Sequence, residues 1–132
     1  MIFIDASALV SILVDEADAD ELTDRLELDP VRLCSAISIW ETVSALSHSH
    51  NYKPGKARAD VTDFLRNFGL SYVPIDEREA ELAVAAYEKF GKGRHKAALN
   101  MGDCFAYACA KANGAKLLFK GGDFALTDIT AA

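Results

Sequence analysis

The chain has 132 residues, 51% of them hydrophobic and 26% charged, with a formal net charge of -6. That length and balance suit one globular domain, residues 1–132, which can bury a core without disulfide or metal staples. The acidic total excludes a general affinity for nucleic acid or acidic membranes, although it leaves room for a local basic site. No apolar run approaches the roughly 20 residues needed to cross a bilayer, and Asp5 stands where a signal peptide would continue its apolar region, so a cytoplasmic location is expected. Cys34, Cys104 and Cys109 are odd in number, lie among apolar residues and lack C-x-x-C spacing, which predicts buried thiols.

Met1 to Asp5 opens the chain as a buried parallel strand that stops at an acid, and Ala6 to Val14 follows as a short helix capped by Asp5 or Ser7. Ala17 to Leu28 is an acidic surface helix with Leu22 and Leu26 as its apolar stripe. Asp29-Pro30 ends it. Val31 to Ala36 reads as a second strand, and Ser38-Ile39-Trp40-Glu41 opens a helix running towards Asn51. Its Ser-x-x-Glu spacing is that of a capping box, which would explain Glu41 without chemistry. The same helix leaves a strand's carboxyl end, however, so Glu41 also falls on the edge where Asp5 stands. His48 and His50 lie two turns or more further on and read as surface residues.

Lys53-Pro54-Gly55 is a turn, and Lys56 to Phe68 is an amphipathic helix closed by Gly69, with Val61, Phe64, Leu65 and Phe68 inward. Leu70 to Ile75 makes a third strand. Asp76-x-x-Glu79 caps a helix through Phe90 whose Ala80, Ala83, Val84 and Tyr87 are expected to face the core. Gly91-Lys92-Gly93-Arg94-His95-Lys96 is the one dense basic cluster, able to bend and gather cations around a phosphate chain. It leads into Leu99-Asn100-Met101-Gly102-Asp103-Cys104-Phe105-Ala106-Tyr107, the start of a helix too apolar to stand exposed. Asp103 there fits two readings, a capping partner of Asn100 or an acid set against the core for chemistry. Asn113-Gly114 turns the chain, Lys116 to Phe119 is a fourth strand, and Lys120-Gly121-Gly122-Asp123 places another acid just past a strand's end. Asp128 reads as a turn residue rather than a ligand.

The order of elements implies a mainly parallel sheet of four to five strands covered by helices on both faces, an α/β protein. Asp5, Glu41, Asp103 and Asp123 all fall where the chain leaves the sheet's carboxyl edge, the place where open α/β sheets form their functional crevice. Carboxylates gathered there repel one another unless protons or a cation intervene, and hard divalent cations take oxygen ligands. The matching chemistry is metal-assisted phosphodiester hydrolysis.

The segments Phe3 to Ala8, Ser35 to Glu41, Gly91 to His95, Leu99 to Tyr107 and Leu118 to Phe124 closely resemble the PIN-domain ribonuclease toxins of the VapC type, across essentially the whole chain. The resemblance implies a three-layer α/β/α sandwich forming a single PIN domain. It implies a Mg²⁺- or Mn²⁺-dependent endoribonuclease, the toxin half of a bacterial toxin-antitoxin pair, forming a homodimer and inhibited by a cognate antitoxin. It further implies Asp5 and Asp103 as principal metal ligands, Glu41 as the third acid and Asp123 as the fourth. Arg94 and His95, with Lys92 of the same cluster, would contact RNA, and Ser7 and Asn100 would support the site through hydrogen bonds. DNA enters only through the antitoxin. Where relatives carry Asn or Asp, this chain has Gly122, which removes one polar group from the last loop.

Two other classes fit some of these features. A binding module with a weakened hydrolytic site, controlling transcription together with an antitoxin, is favoured by Gly122. A receiver- or phosphatase-like domain also carries acids at strand ends, but Asp5-Ala6-Ser7 lacks the D-x-D pattern of the phosphatase type.

Overall fold

A computed structural model describes all residues, Met1–Ala132. In chain order the elements are β1 (Ile2–Ile4), α1 (Ala6–Leu13), α2 (Ala19–Glu27), β2 (Arg32–Cys34), α3 (Ala36–Ser49), α4 (Pro54–Asn67), β3 (Leu70–Tyr72), α5 (Glu77–Phe90), α6 (Met101–Asn113) and β4 (Lys116–Leu118), followed by a 3-10 turn at Phe124–Leu126. The strands form one sheet in the order β3-β2-β1-β4, and every pairing is parallel.

The alternation of side chains across this sheet divides the core in two. Phe3 stands opposite Leu33 on one side and Leu117 on the other, and all three pack with α5 and α6 through residues such as Ala83, Phe90, Cys104 and Tyr107. Ile2, Ile4, Cys34 and Leu118 turn to the opposite face, where Leu9, Leu26, Leu46 and Val61 bring α1 to α4 against them. The result is the three-layer sandwich expected from the sequence. Because β1 is covered on both faces, Ile-Phe-Ile is a continuous apolar run rather than an alternating one. All three residues are fully buried, each contributing on the order of 1.5–3 kcal/mol from the area removed from water.

Arg32 secures the opposite end of the sheet. Its guanidinium donates to the carbonyls of Leu26 at 2.8 Å, Glu27 at 3.1 Å and Phe68 at 2.7 Å, so one cation satisfies the final carbonyls of α2 and α4.

Three helices depart from the sequence reading. α3 begins at Ala36 because Ser35 and Ser38 form the capping box with each other: Ser35 Oγ accepts from Ser38 N–H at 3.2 Å, and Ser38 Oγ accepts from Ser35 N–H at 2.9 Å. The Ser38–Glu41 box therefore does not form. α4 starts at Pro54 instead of Lys56, since a proline at the first helical position gives up no needed hydrogen bond. In α5 the buried stripe is Glu79, Ala83, Ala86 and Phe90, whereas Ala80, Val84 and Tyr87 face outward. Glu79 Oε2 accepts the Asp76 N–H at 2.8 Å, and Phe90 packs on His95 and Tyr107, which together fix that rotation. The three cysteines are free and buried, as expected. No helix is long and apolar enough to cross a membrane.

Candidate active site

The site edge is set by the strand order. From β1 the chain winds outward through β2 to β3, and β4 then returns to the other side of β1, so the carboxyl edge between β1 and β4 is the topological switch point of the sheet, where open α/β sheets place their ligands. Asp5 is the first residue past β1 and the N-cap of α1. It is 4% exposed, and its Oδ2 accepts both the Ser7 N–H at 3.0 Å and the Ser7 hydroxyl at 2.5 Å. Burial pushes the Asp5 carboxyl above its usual range, against the pull of those hydrogen bonds. The backbone N–H of Lys120 donates to Ser7 Oγ at 3.0 Å, joining the loop after β4 to the start of α1.

Asp103 occupies the first turn of α6, where the capping reading is borne out and the carboxylate also lies within the field of the other acids. Its backbone N–H donates to Asn100 Oδ1 at 2.9 Å, while its Oδ2 accepts the Asn100 N–H at 3.0 Å. Burial first, and then the charges of Asp5 and Asp123, push this carboxyl up to about 6 despite the Asn100 hydrogen bond. Glu41 lies in the second turn of α3, freed from capping by Ser38. Burial and the charges of Asp5 and Asp103 push it up to about 7. The four acids thus share one electrostatic field. Neither elevated value is offset by a lysine or arginine.

Lys120, whose backbone meets Ser7, turns its own cation away from the acids. The ammonium of Lys120 pairs with Glu16 and, at 3.2 Å, with Asp18, across the turn between α1 and α2. Lys89 and Lys111 approach Asp128 at 3.5 and 3.8 Å, and Tyr107 donates its hydroxyl to the same carboxylate at 2.7 Å. Asp128 is therefore a tie between the final segment, α5 and α6 rather than a simple turn residue.

The donor set suits a hard cation: carboxylate oxygens only, at raised proton affinity, with no competing ion pair. As the side chains stand, no three of them converge closely enough to enclose an ion. The acids share a field without closing on a point. Asp123 caps the 3-10 turn and is exposed, at the outer margin of the cluster.

The basic loop sits directly before α6. Gly91 bridges to Leu99, Arg94 lies over the Tyr87 ring at 5.0 Å, and His95 packs edge-on to Phe90 with its Nδ1 accepting the Ala97 N–H at 3.0 Å. Lys92 lines an apolar groove with Val84, Tyr87, Leu99, Asn100 and Met101. Arg94 and His95 thus rest on α5 rather than on the acids, while Asn100 belongs to the groove wall and to the Asp103 capping box. The Lys120 backbone donor to Ser7 escaped the sequence reading, because a contact across 113 residues leaves no local period.

An α/β sandwich with carboxylates at its strand ends is shared by nucleases, phosphatase-like and receiver-like domains, and comparison with known proteins narrows it. The PIN domain family matches residues 2–129. Ribonuclease VapC of Mycolicibacterium smegmatis is 46% identical over 128 residues, covering 97% of each chain. Ribonuclease VapC30 of Mycobacterium tuberculosis is 44% identical over 126 residues, covering 96% of this chain and 94% of the relative. Among solved structures, the sarcin-ricin loop cleaving toxin VapC20 of Mycobacterium tuberculosis superposes with a TM-score of 0.76 at 18% identity, covering 100% of this chain and 98% of that one. VapBC2 from Rickettsia felis, bound to a promoter DNA fragment, gives 0.74 at 14% identity, covering 100% and 98%. The chain belongs to the PIN-domain family and, within it, to the VapC ribonucleases.

Proposed function

We propose that this chain is a divalent-metal-dependent endoribonuclease and the toxin of a toxin-antitoxin pair, with residues 1–132 acting as one PIN domain. The observation that carries the metal site is the gathering of Asp5, Glu41 and Asp103, where burial first and then the neighbouring acids raise Glu41 to about 7 and Asp103 to about 6 with no protein cation to relieve it. Asp5, Asp103 and Glu41 are the residues that would hold the ion, with Asp123 as a fourth acid on the flanking loop. Bound there, Mg²⁺ or Mn²⁺ would supply a water activated for attack on phosphorus and would neutralise charge on the departing oxygen. Ser7 orients Asp5 by its hydroxyl, and Asn100 fixes Asp103 by the capping box.

Lys92, Arg94 and His95 form the phosphate-binding flank, on a glycine-hinged loop that enters α6 just ahead of Asp103. The net charge of -6 means that this local cluster, rather than the whole surface, must attract RNA. For partners we infer a cognate antitoxin and a second copy of the chain, with DNA reached only through the antitoxin, and a cytoplasmic location. Support for the antitoxin comes from fold-level neighbours, one described as a toxin-antitoxin complex from Klebsiella pneumoniae and one as VapBC2 from Rickettsia felis bound to a promoter fragment.

The test is cleavage of a panel of structured RNAs, including tRNAs and ribosomal fragments, by purified protein with Mg²⁺ or Mn²⁺ and with excess EDTA. Chelator-sensitive cleavage is expected. A folded protein that neither cuts RNA nor binds Mn²⁺ would instead support the module with a weakened site, the reading that Gly122 favours by leaving Asp123 as the only side-chain ligand of its loop.

A further inference from the structure

Of Asp5, Asp103 and Glu41, the acids facing one another at the strand ends, Glu41 is the one with no hydrogen bond to orient it. Asp5 is gripped by Ser7 and Asp103 by Asn100, but burial and the neighbouring acids alone act on Glu41, with no hydrogen bond among the influences on its carboxyl. What stands against it is Gly102. A Cβ built on Gly102 would lie 1.9 Å from Glu41 Oε2, 2.2 Å from Cδ and 2.3 Å from Oε1, far inside any real contact. The Glu41 carboxylate therefore occupies the space that a side chain at 102 would fill.

Glycine is not required at this position by the backbone. Gly102 is buried in the first turn of α6 and is absent from the residues of positive φ, so its conformation is one that alanine adopts more readily. We propose that Gly102 is a positioning residue: the missing Cβ is a seat on α6 that receives the Glu41 carboxylate from α3 and fixes the third acid beside Asp103. Because the threatened atoms are the far end of a flexible side chain, an alanine at 102 would leave the fold in place and push the carboxylate out of the cluster. This inference rests on the reading of Glu41 as a site acid.

The experiment is a cycle of Gly102→Ala, Glu41→Ala and the double variant, read by calorimetric Mn²⁺ binding without RNA, by RNA cleavage, and by melting of the metal-free protein. Gly102→Ala is expected to weaken Mn²⁺ binding about 10-fold or more, the range seen when a group supporting a metal ligand is lost, and to reduce cleavage with it. In the Glu41→Ala background, where the space is vacated, the same substitution should raise the melting temperature by a few degrees through helix propensity. With Glu41 present that gain should vanish or reverse, a non-additivity expected only of groups in contact. Unchanged Mn²⁺ affinity together with the same melting shift in both backgrounds would overturn the seat. If Glu41→Ala itself leaves cleavage and Mn²⁺ binding intact, the assignment of Glu41 to the site fails instead, and the melting cycle still decides whether Gly102 seats it.

Discussion

The Ser7 hydroxyl donates to Asp5 Oδ2 at 2.5 Å while accepting the backbone N–H of Lys120 at 3.0 Å, so one small side chain both aims the buried acid after β1 and pins the loop after β4. Ser7→Ala removes both bonds. The expected outcome is a loss of roughly 10- to 100-fold in metal affinity and cleavage, with a stability cost of about 1 kcal/mol. Calorimetric Mn²⁺ titration and urea unfolding measure the two effects separately; a stability loss with unchanged Mn²⁺ affinity would reduce Ser7 to a structural tie between α1 and the loop after β4.

Asp103→Asn separates charge from capping. The amide oxygen can still accept the Asn100 N–H, and the backbone bond to Asn100 Oδ1 is untouched, so no capping is lost and the metal-free protein should be at least as stable as wild type at neutral pH. RNA cleavage should be abolished, because the carboxylate is lost from the cluster. A variant that cuts RNA at the wild-type rate would remove Asp103 from the site.

Stability of the metal-free protein should rise as pH falls from about 8 towards 5. Asp5 is raised by burial, Asp103 to about 6 and Glu41 to about 7, so the folded state binds protons that the unfolded chain has already released in this interval. Protonation removes the cost of burying these charges and, for Glu41 and Asp103, the repulsion of their neighbours, and the advantage is lost as pH rises through the folded values. Below about 4 the trend reverses, because Asp18, Asp29 and Asp128 are held low by the Ser11 hydroxyl, the N-terminal amine and the Tyr107 hydroxyl respectively, and must be protonated. Melting with EDTA across this range, on wild type and Glu41→Gln, checks the sign. A melting point that falls steadily from pH 8 to 5 would contradict the shared field.

Arg32→Met tests the far end of the sheet. Three carbonyls from the ends of α2 and α4 lose their donor, which should cost about 2 kcal/mol in urea unfolding. Mn²⁺ affinity should stay at the wild-type value, since Arg32 opens β2 at the edge opposite the acids.

Much of this protein was decided by rules that act over a few residues. The continuous run Ile2–Ile4 marked a strand buried on both faces, Asn100 and Asp103 were spaced for a capping box that forms as read, and four acids followed element ends in an α/β order. The resemblance to VapC ribonucleases lay in those same short segments. Where two local choices competed, only the assembled fold chose between them. Ser35 leaves β2 extended and takes Ser38 as its capping partner, which releases Glu41 from the box its own spacing suggested. In α5, two stripes of similar composition share Ala83, and the packing of Phe90 against α6 selects the one containing Glu79 and Ala86. The contacts that complete the site belong to tertiary structure alone. Ser7 meets Lys120, and Glu41 meets Gly102, because parallel strands bring distant chain segments to one edge, and periodicity within a helix or strand carries no record of which segments will meet there.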